Sequence, residues 1–151
     1  MKILYGTTNK AKIQVMKNAV ESLDMNQLQV PSKIKLSIDK KPYIVDDIGM
    51  SGNQVLIFED MVLKIEGNPI SVRKQVQVMK WLEGKLPVPR VLECEEENGK
   101  GYLLMSRIVG KMSCDDYFLE HPEILLKALA DGLKMLWKVD VNECPSVRDL
   151  D

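Results

Sequence analysis

Cysteine is scarce in this chain. Cys94, Cys114 and Cys144 are three in number and far apart. They match neither a zinc-ligand spacing nor a paired disulfide framework, which leaves reduced thiols and a cytoplasmic setting as the expectation. Long hydrophobic runs are missing as well. The N-terminus, Met1-Lys2-Ile3-Leu4-Tyr5, passes straight into polar residues, so neither a signal-peptide core nor a bilayer-spanning segment is expected. Charge of one sign is not in excess either. A net charge of -1 and a pI near 5.9 give no basic footprint, so neither a nucleic-acid partner nor a membrane partner is expected. Internal repeats and low-complexity tracts are also absent from the sequence.

What the chain does have is a core. Its 151 residues are 45% hydrophobic, enough for one ordinary domain and too apolar for a disordered chain. Residues 2–6 read as a strand. Thr7-Thr8-Asn9 then caps a helix whose apolar face is Ile13, Met16, Val20 and Leu23. A polar connector follows. Pro31-Ser32 opens a short helix with Ile34 and Ile38 inward, broken by Lys40-Lys41-Pro42. The pattern then turns to β: strands at 43–45, 55–58 and 61–65, the last two joined by the two-residue loop Glu59-Asp60. Gly67-Asn68-Pro69 ends this block. Val72, Val76, Met79 and Leu82 define an amphipathic helix stopped at Gly84. Strands at 91–94 and 102–105 follow, with residues 95–101 as a polar loop between them. After a connector, Pro122 opens the longest helix, with Leu125, Leu129, Leu133 and Leu136 in register. Strands joined by short loops pair antiparallel, so the expected class is α+β: a five-stranded antiparallel sheet with one packed helix, preceded by a β-loop-α segment.

The chemistry-bearing stretch is 49–64, a small-residue turn followed by two strands. Gly49 and Gly52 permit close approach, and Ser51 and Asn53 add donors to the backbone N–H groups. Such a turn can hold phosphate oxygens, and it can equally build a plain hairpin. Lys64 sits inside the apolar run Met61-Val62-Leu63-Lys64-Ile65. It either faces solvent by strand alternation or is aimed at a nucleotide's phosphates by an acid on the next helix. That helix carries no carboxylate before Glu83. Gln75 is the available partner, able to accept a hydrogen bond but not to supply charge. The strand 102–105 runs through Ser106 and Ile108 to Gly110. Its end either offers backbone groups to a base edge or is a core strand turning away.

Several segments together resemble the N-terminal lobe of the aminoglycoside 3′-phosphotransferases, which have a protein-kinase-like fold. They are Pro31-Ser32-Lys33-Ile34-Lys35, Gly49-Met50-Ser51, Val62-Leu63-Lys64, Trp81-Leu82-Glu83-Gly84-Lys85-Leu86-Pro87-Val88-Pro89, Leu103-Leu104-Met105-Ser106 and Asp140-Val141-Asn142-Glu143-Cys144-Pro145. The resemblance covers about residues 30–151 and implies three parts: an extension at 1–29, a nucleotide-binding lobe at 30–110 and the start of a helical lobe at 111–151. It implies ATP as cofactor. Ser51, Gly52 and Asn53 would cover the phosphates, and Lys64 would contact the α and β phosphates. Gln75 stands where the family places the lysine-pairing Glu. Ser106 and Ile108 would give backbone contacts to adenine, with Val62 where some members stack an aromatic ring. The implied reaction moves the ATP γ-phosphoryl group, with magnesium, to an aminoglycoside hydroxyl.

The family's catalytic loop is His-Gly-Asp followed by a metal-binding Asn, with a later Asp for the second magnesium contact. The one histidine here, His121, lies in Glu120-His121-Pro122-Glu123 and reads as a surface residue before a helix. No catalytic residue and no metal ligand is therefore assigned. The expectation is a truncated, inactive phosphotransferase-like chain whose last helix invites self-association. Two other readings remain open. One is a non-enzymatic nucleotide-binding or interaction module. The other comes from residues 1–23, which resemble the opening of pyrophosphatases that act on non-standard purine nucleoside triphosphates. There Thr7, Asn9 and Lys12 would contact phosphate.

Overall fold

A computed structural model describes residues 29–46, 53–111, 113 and 115–145. The described strands are β1 (Ile44–Asp46), β2 (Gln54–Ile57), β3 (Met61–Glu66), β4 (Val91–Glu97) and β5 (Lys100–Ser106). They form one antiparallel sheet in the order β1-β2-β3-β5-β4. The described helices are α1 (Ser32–Ile38), α2 (Pro69–Leu82), α3 (Asp116–Glu120) and α4 (Pro122–Trp137).

Strand alternation divides the sheet into two faces. On the first, Leu63 pairs with Leu56 and Leu104, and Ile65 pairs with Tyr102. These residues join Met61, Phe58, Tyr43 and the α1 residues Ile34 and Ile38 in one buried cluster. Ile34 and Ile38 are four apart, so both fall on the inner side of α1. The Tyr43 and Phe58 rings meet at 5.6 Å. The Tyr102 hydroxyl donates to the Gln29 carbonyl at 3.1 Å, which satisfies its polar end under the cluster.

The opposite face carries Lys64, paired with Leu103, and Glu66, paired with Gly101. Helix α2 lies against β5, β4 and β3. Its start is set by Asn68, whose Oδ1 accepts from the amides of Ile70 (3.0 Å) and Ser71 (3.4 Å), with Pro69 at the first helical position. It stops at Leu82, and Gly84 takes a left-handed φ of 78° beyond it. Of the four expected inward residues, Val72 is fully buried, while Val76, Met79 and Leu82 are half-buried.

The Glu59-Asp60 loop is as expected. The Phe58 amide donates to the Met61 carbonyl at 2.9 Å, and neither loop residue has positive φ. Arg107, just past the end of β5, holds this loop: its amide donates to the Asp60 carbonyl at 3.0 Å and Nη1 to the Phe58 carbonyl at 2.9 Å.

Two expectations are corrected. Residues 95–101 are not a polar loop: β4 runs to Glu97 and β5 begins at Lys100. The connection is the pair Asn98-Gly99, with φ of 51° and 74°, the left-handed values that a tight hairpin turn requires. Residues before Pro122 are not all connector either. Asp115 caps α3, its Oδ1 accepting from the Tyr117 amide at 3.0 Å. Helix α4 opens at Pro122 and is the longest of the described helices, as expected; it spans 16 residues, and Leu129, Leu133, Leu136 and Trp137 on it are exposed. No helix among the described residues is long and apolar enough to cross a membrane.

Candidate functional site

β3 and α2 bring four polar side chains together. Lys64 Nζ donates to Gln75 Oε1 at 2.9 Å and forms an ion pair with Glu66 Oε1. Gln75 Nε2 donates to the same Glu66 Oε1 at 2.7 Å and also reaches Ser71 Oγ at 3.2 Å. Two strand positions and one helical turn suffice for this arrangement. Lys64 and Glu66 are two apart on β3 and share a face, and Ser71 and Gln75 are four apart on α2.

The burial of the two charges is unequal. The Glu66 side chain is 6% exposed and that of Lys64 26%. Burial pushes the Glu66 carboxyl upward, but the hydrogen bonds from Gln75, Lys64 and Ser71 and the charge on Lys64 outweigh it. The net result is a carboxyl below its ordinary value, ionised against the lysine. An ammonium has three N–H donors. Glu66 and Gln75 take two of them, which leaves one for a ligand oxygen.

The structure brings the expected Lys64 and Gln75 side chains into contact and adds Glu66, which the sequence pattern does not single out because the acid is expected on the helix. The signal was present in the strand itself, where alternation sets residue 66 beside residue 64.

The remaining expected site residues fall in different places. Asn53 is half-buried and precedes Gln54, whose register partner is Ile65, so the end of the turn lies one strand over from Lys64. Ser51 and Gly52, like Thr7, Asn9 and Lys12, lie outside the described residues. Ser106 ends β5. Its amide donates to the Arg90 carbonyl at 2.9 Å, and its Oγ accepts from the Arg90 amide at 2.8 Å. That amide is therefore committed to the sheet. Ile108 is 56% exposed beyond the sheet, and Val62 is half-buried on β3. A groove of about 570 Å³ runs along α2 beside Gln75, walled by Ile70, Val78 and Met79. His121 is exposed at the start of α4, 3.8 Å from Glu123.

Lys64 is thus a cation on the third strand, held by a carboxylate of its own strand and tied to the following helix by Gln75. Comparison with known proteins identifies the family. Residues 49–151 match the family model described as the phosphotransferase enzyme family. The chain belongs to this family. It is 31% identical over 137 residues to an aminoglycoside 3′-phosphotransferase of Enterococcus faecalis, covering 84% of this chain and 52% of that protein. An aminoglycoside 3′-phosphotransferase of Staphylococcus aureus is 31% identical with the same coverage, and one of Niallia circulans is 28% identical over 132 residues. The chain thus spans about half the length of the curated relatives it matches. Within the phosphotransferase family, the antiparallel five-stranded sheet and α2 correspond to the N-terminal lobe of the kinase-like fold. Among the described residues, no three His, Cys, Asp or Glu side chains converge.

Proposed function

We propose that this chain is the nucleotide-binding half of an aminoglycoside phosphotransferase. Residues 30–110 form the lobe that holds ATP, and residues 111–151 begin the helical lobe. The observation that carries this reading is the Lys64 ammonium, fixed by Glu66 and Gln75 with one donor left over. Its donor chemistry fits a phosphate oxygen. Lys64 would hold the phosphates, Ser51, Gly52 and Asn53 would cover them, and the β5 end at Ser106 and Ile108 would receive the base. Bound ATP would supply the γ-phosphoryl group for transfer to an aminoglycoside hydroxyl. The lobe's part is positioning and charge stabilisation rather than bond-making.

The 151 residues contain no His-Gly-Asp, the loop that the family resemblance assigns to the base and to one magnesium ligand. On this reading the 151 residues by themselves bind nucleotide, are placed in the cytoplasm, and do not phosphorylate aminoglycosides. Its exposed α4 face drives self-association.

The test is thermal unfolding of the purified chain against rising ATP. Ligand that binds only the folded state raises stability as its concentration passes Kd. A concentration-dependent rise that Lys64→Ala removes is the expected result. No rise at any ATP concentration refutes nucleotide binding. Turnover of an aminoglycoside with labelled ATP refutes the inactivity of the isolated chain.

A further inference from the structure

The kinase-type lysine is normally aimed by an acid on the helix, so the pair exists only when that helix is in place. This chain has Gln75 at that helical position, yet its lysine still has a carboxylate. We infer that Glu66 is the positioning residue for Lys64, the acid having been transposed from α2 to β3. The inference rests on the reading of Lys64 as the phosphate-binding cation.

Three observations carry it. Among the described residues Glu66 is the buried charged one, at 5% exposure, and its carboxylate is ion-paired with Lys64. A carboxylate that deep is stable only when paired and hydrogen-bonded. Next, Gln75 is the residue type its place demands. Its amide oxygen faces the lysine donor, and its amide nitrogen faces the Glu66 acceptor at 2.7 Å. An acid at 75 would replace the amide N–H that donates to Glu66 Oε1 with a carboxylate oxygen, so that two carboxylates faced each other on one shared ammonium. The glutamine on the helix and the acid on the strand are thus one compensated arrangement. Finally, Lys64 and Glu66 are two apart on one strand, so their proximity is set by β3 alone. The lysine's direction then does not depend on where α2 lies, and Gln75 and Ser71 tie the helix to a charge pair that already exists.

The experiment compares the parent chain with Glu66→Gln and with the transposed double variant Glu66→Gln/Gln75→Glu. Two readouts are taken: affinity for a fluorescent ATP analogue, and the ¹H–¹⁵N signal of the Lys64 ammonium in ligand-free protein. Loss of the charge-assisted bond should weaken binding by about tenfold in Glu66→Gln and erase the ordered ammonium signal. Returning the acid to the helix should restore both. Parent-like affinity and ammonium signal in Glu66→Gln overturn the inference, and so does a folded double variant no better than Glu66→Gln. If Glu66→Gln does not fold, the double variant decides by the same two readouts against the parent. If the parent binds no nucleotide, the nucleotide reading fails separately. The ammonium signal then decides alone, its loss in Glu66→Gln and return in the double variant supporting the positioning role.

Discussion

Gly101 of β5 stands directly opposite Glu66 of β3, and a β-carbon at residue 101 would lie 2.6 Å from Val72 Cγ2 and 2.9 Å from the Pro69 α-carbon. The missing side chain is what lets the first turn of α2 rest on the sheet. That same turn delivers Ser71, and the next delivers Gln75, to the Glu66 carboxylate. Gly101→Ala is therefore expected to push α2 outward, at a cost of about 1–3 kcal/mol, as for other overpacked sites. Urea unfolding checks the stability loss. The ¹H–¹⁵N signal of the Gln75 side-chain amide checks whether the helix has moved off Glu66. Unchanged stability would mean that the Pro69 backbone yields freely.

The β4–β5 turn gives a second test. Gly99 holds a φ of 74°, and Asn98 a φ of 51°. Asparagine tolerates the left-handed region and alanine does not. Gly99→Ala should destabilise the lobe by about 1 kcal/mol, while Asn98→Gly should be close to neutral. Thermal unfolding of the two variants side by side separates backbone strain from any loss of side-chain contact. Equal losses in both would point to contacts instead.

Much of this architecture was legible in the sequence, and the misreadings have identifiable causes. The α1 and α2 spacings and the Glu59-Asp60 loop could be read because apolar periodicity and turn length are local signals. The hairpin at Asn98-Gly99 was hidden by the glutamates before it, since Glu95–97 look like a solvated loop. They are instead the edge strand of the sheet, where charge is tolerated and discourages further pairing. Their alternation is functional in the packing. Lys33 of α1 bridges Glu95 at 2.8 Å on one face, and Arg73 of α2 bridges Glu96 at 2.8 Å on the other. Propensity alone could not show this, because both partners arrive from distant helices. Glu66 escaped for the opposite reason. Its partner is local, but the expected pattern directed attention to the helix.

Acid should reveal the Glu66 pair. Its carboxyl titrates below the ordinary value of 4.5 in the folded chain. A depressed folded value means that the unfolded chain takes up the proton first as pH falls. The stability Glu66 contributes is thus complete above the ordinary value and is lost as pH drops through the lower, folded one. Glu66→Gln has no such term. The stability gap between parent and variant should be full at neutral pH and narrow as pH falls below the ordinary value and through the lower folded one, as followed by urea unfolding at each pH. A gap that stays constant over that range would show that Glu66 acts through its shape and hydrogen bonds rather than its charge.

The last helix presents its leucines to water. Leu129, Leu133 and Leu136 recur at helical spacing on α4 and are 55%, 49% and 52% exposed, with Trp137 beside them at 76%. An apolar stripe of this kind is unfavourable in contact with solvent and is relieved when a second apolar surface covers it. The chain is expected to dimerise or to precipitate at high concentration, and to bind an apolar fluorescent dye when dilute. Replacing Leu129 and Leu133 by Glu interrupts the stripe at its centre without touching the sheet. The double variant should then run as a monomer by light scattering, with dye binding lost and the unfolding midpoint of the β-lobe unchanged. A parent chain that is monomeric at every concentration and dark to the dye would remove the basis for assigning self-association to α4.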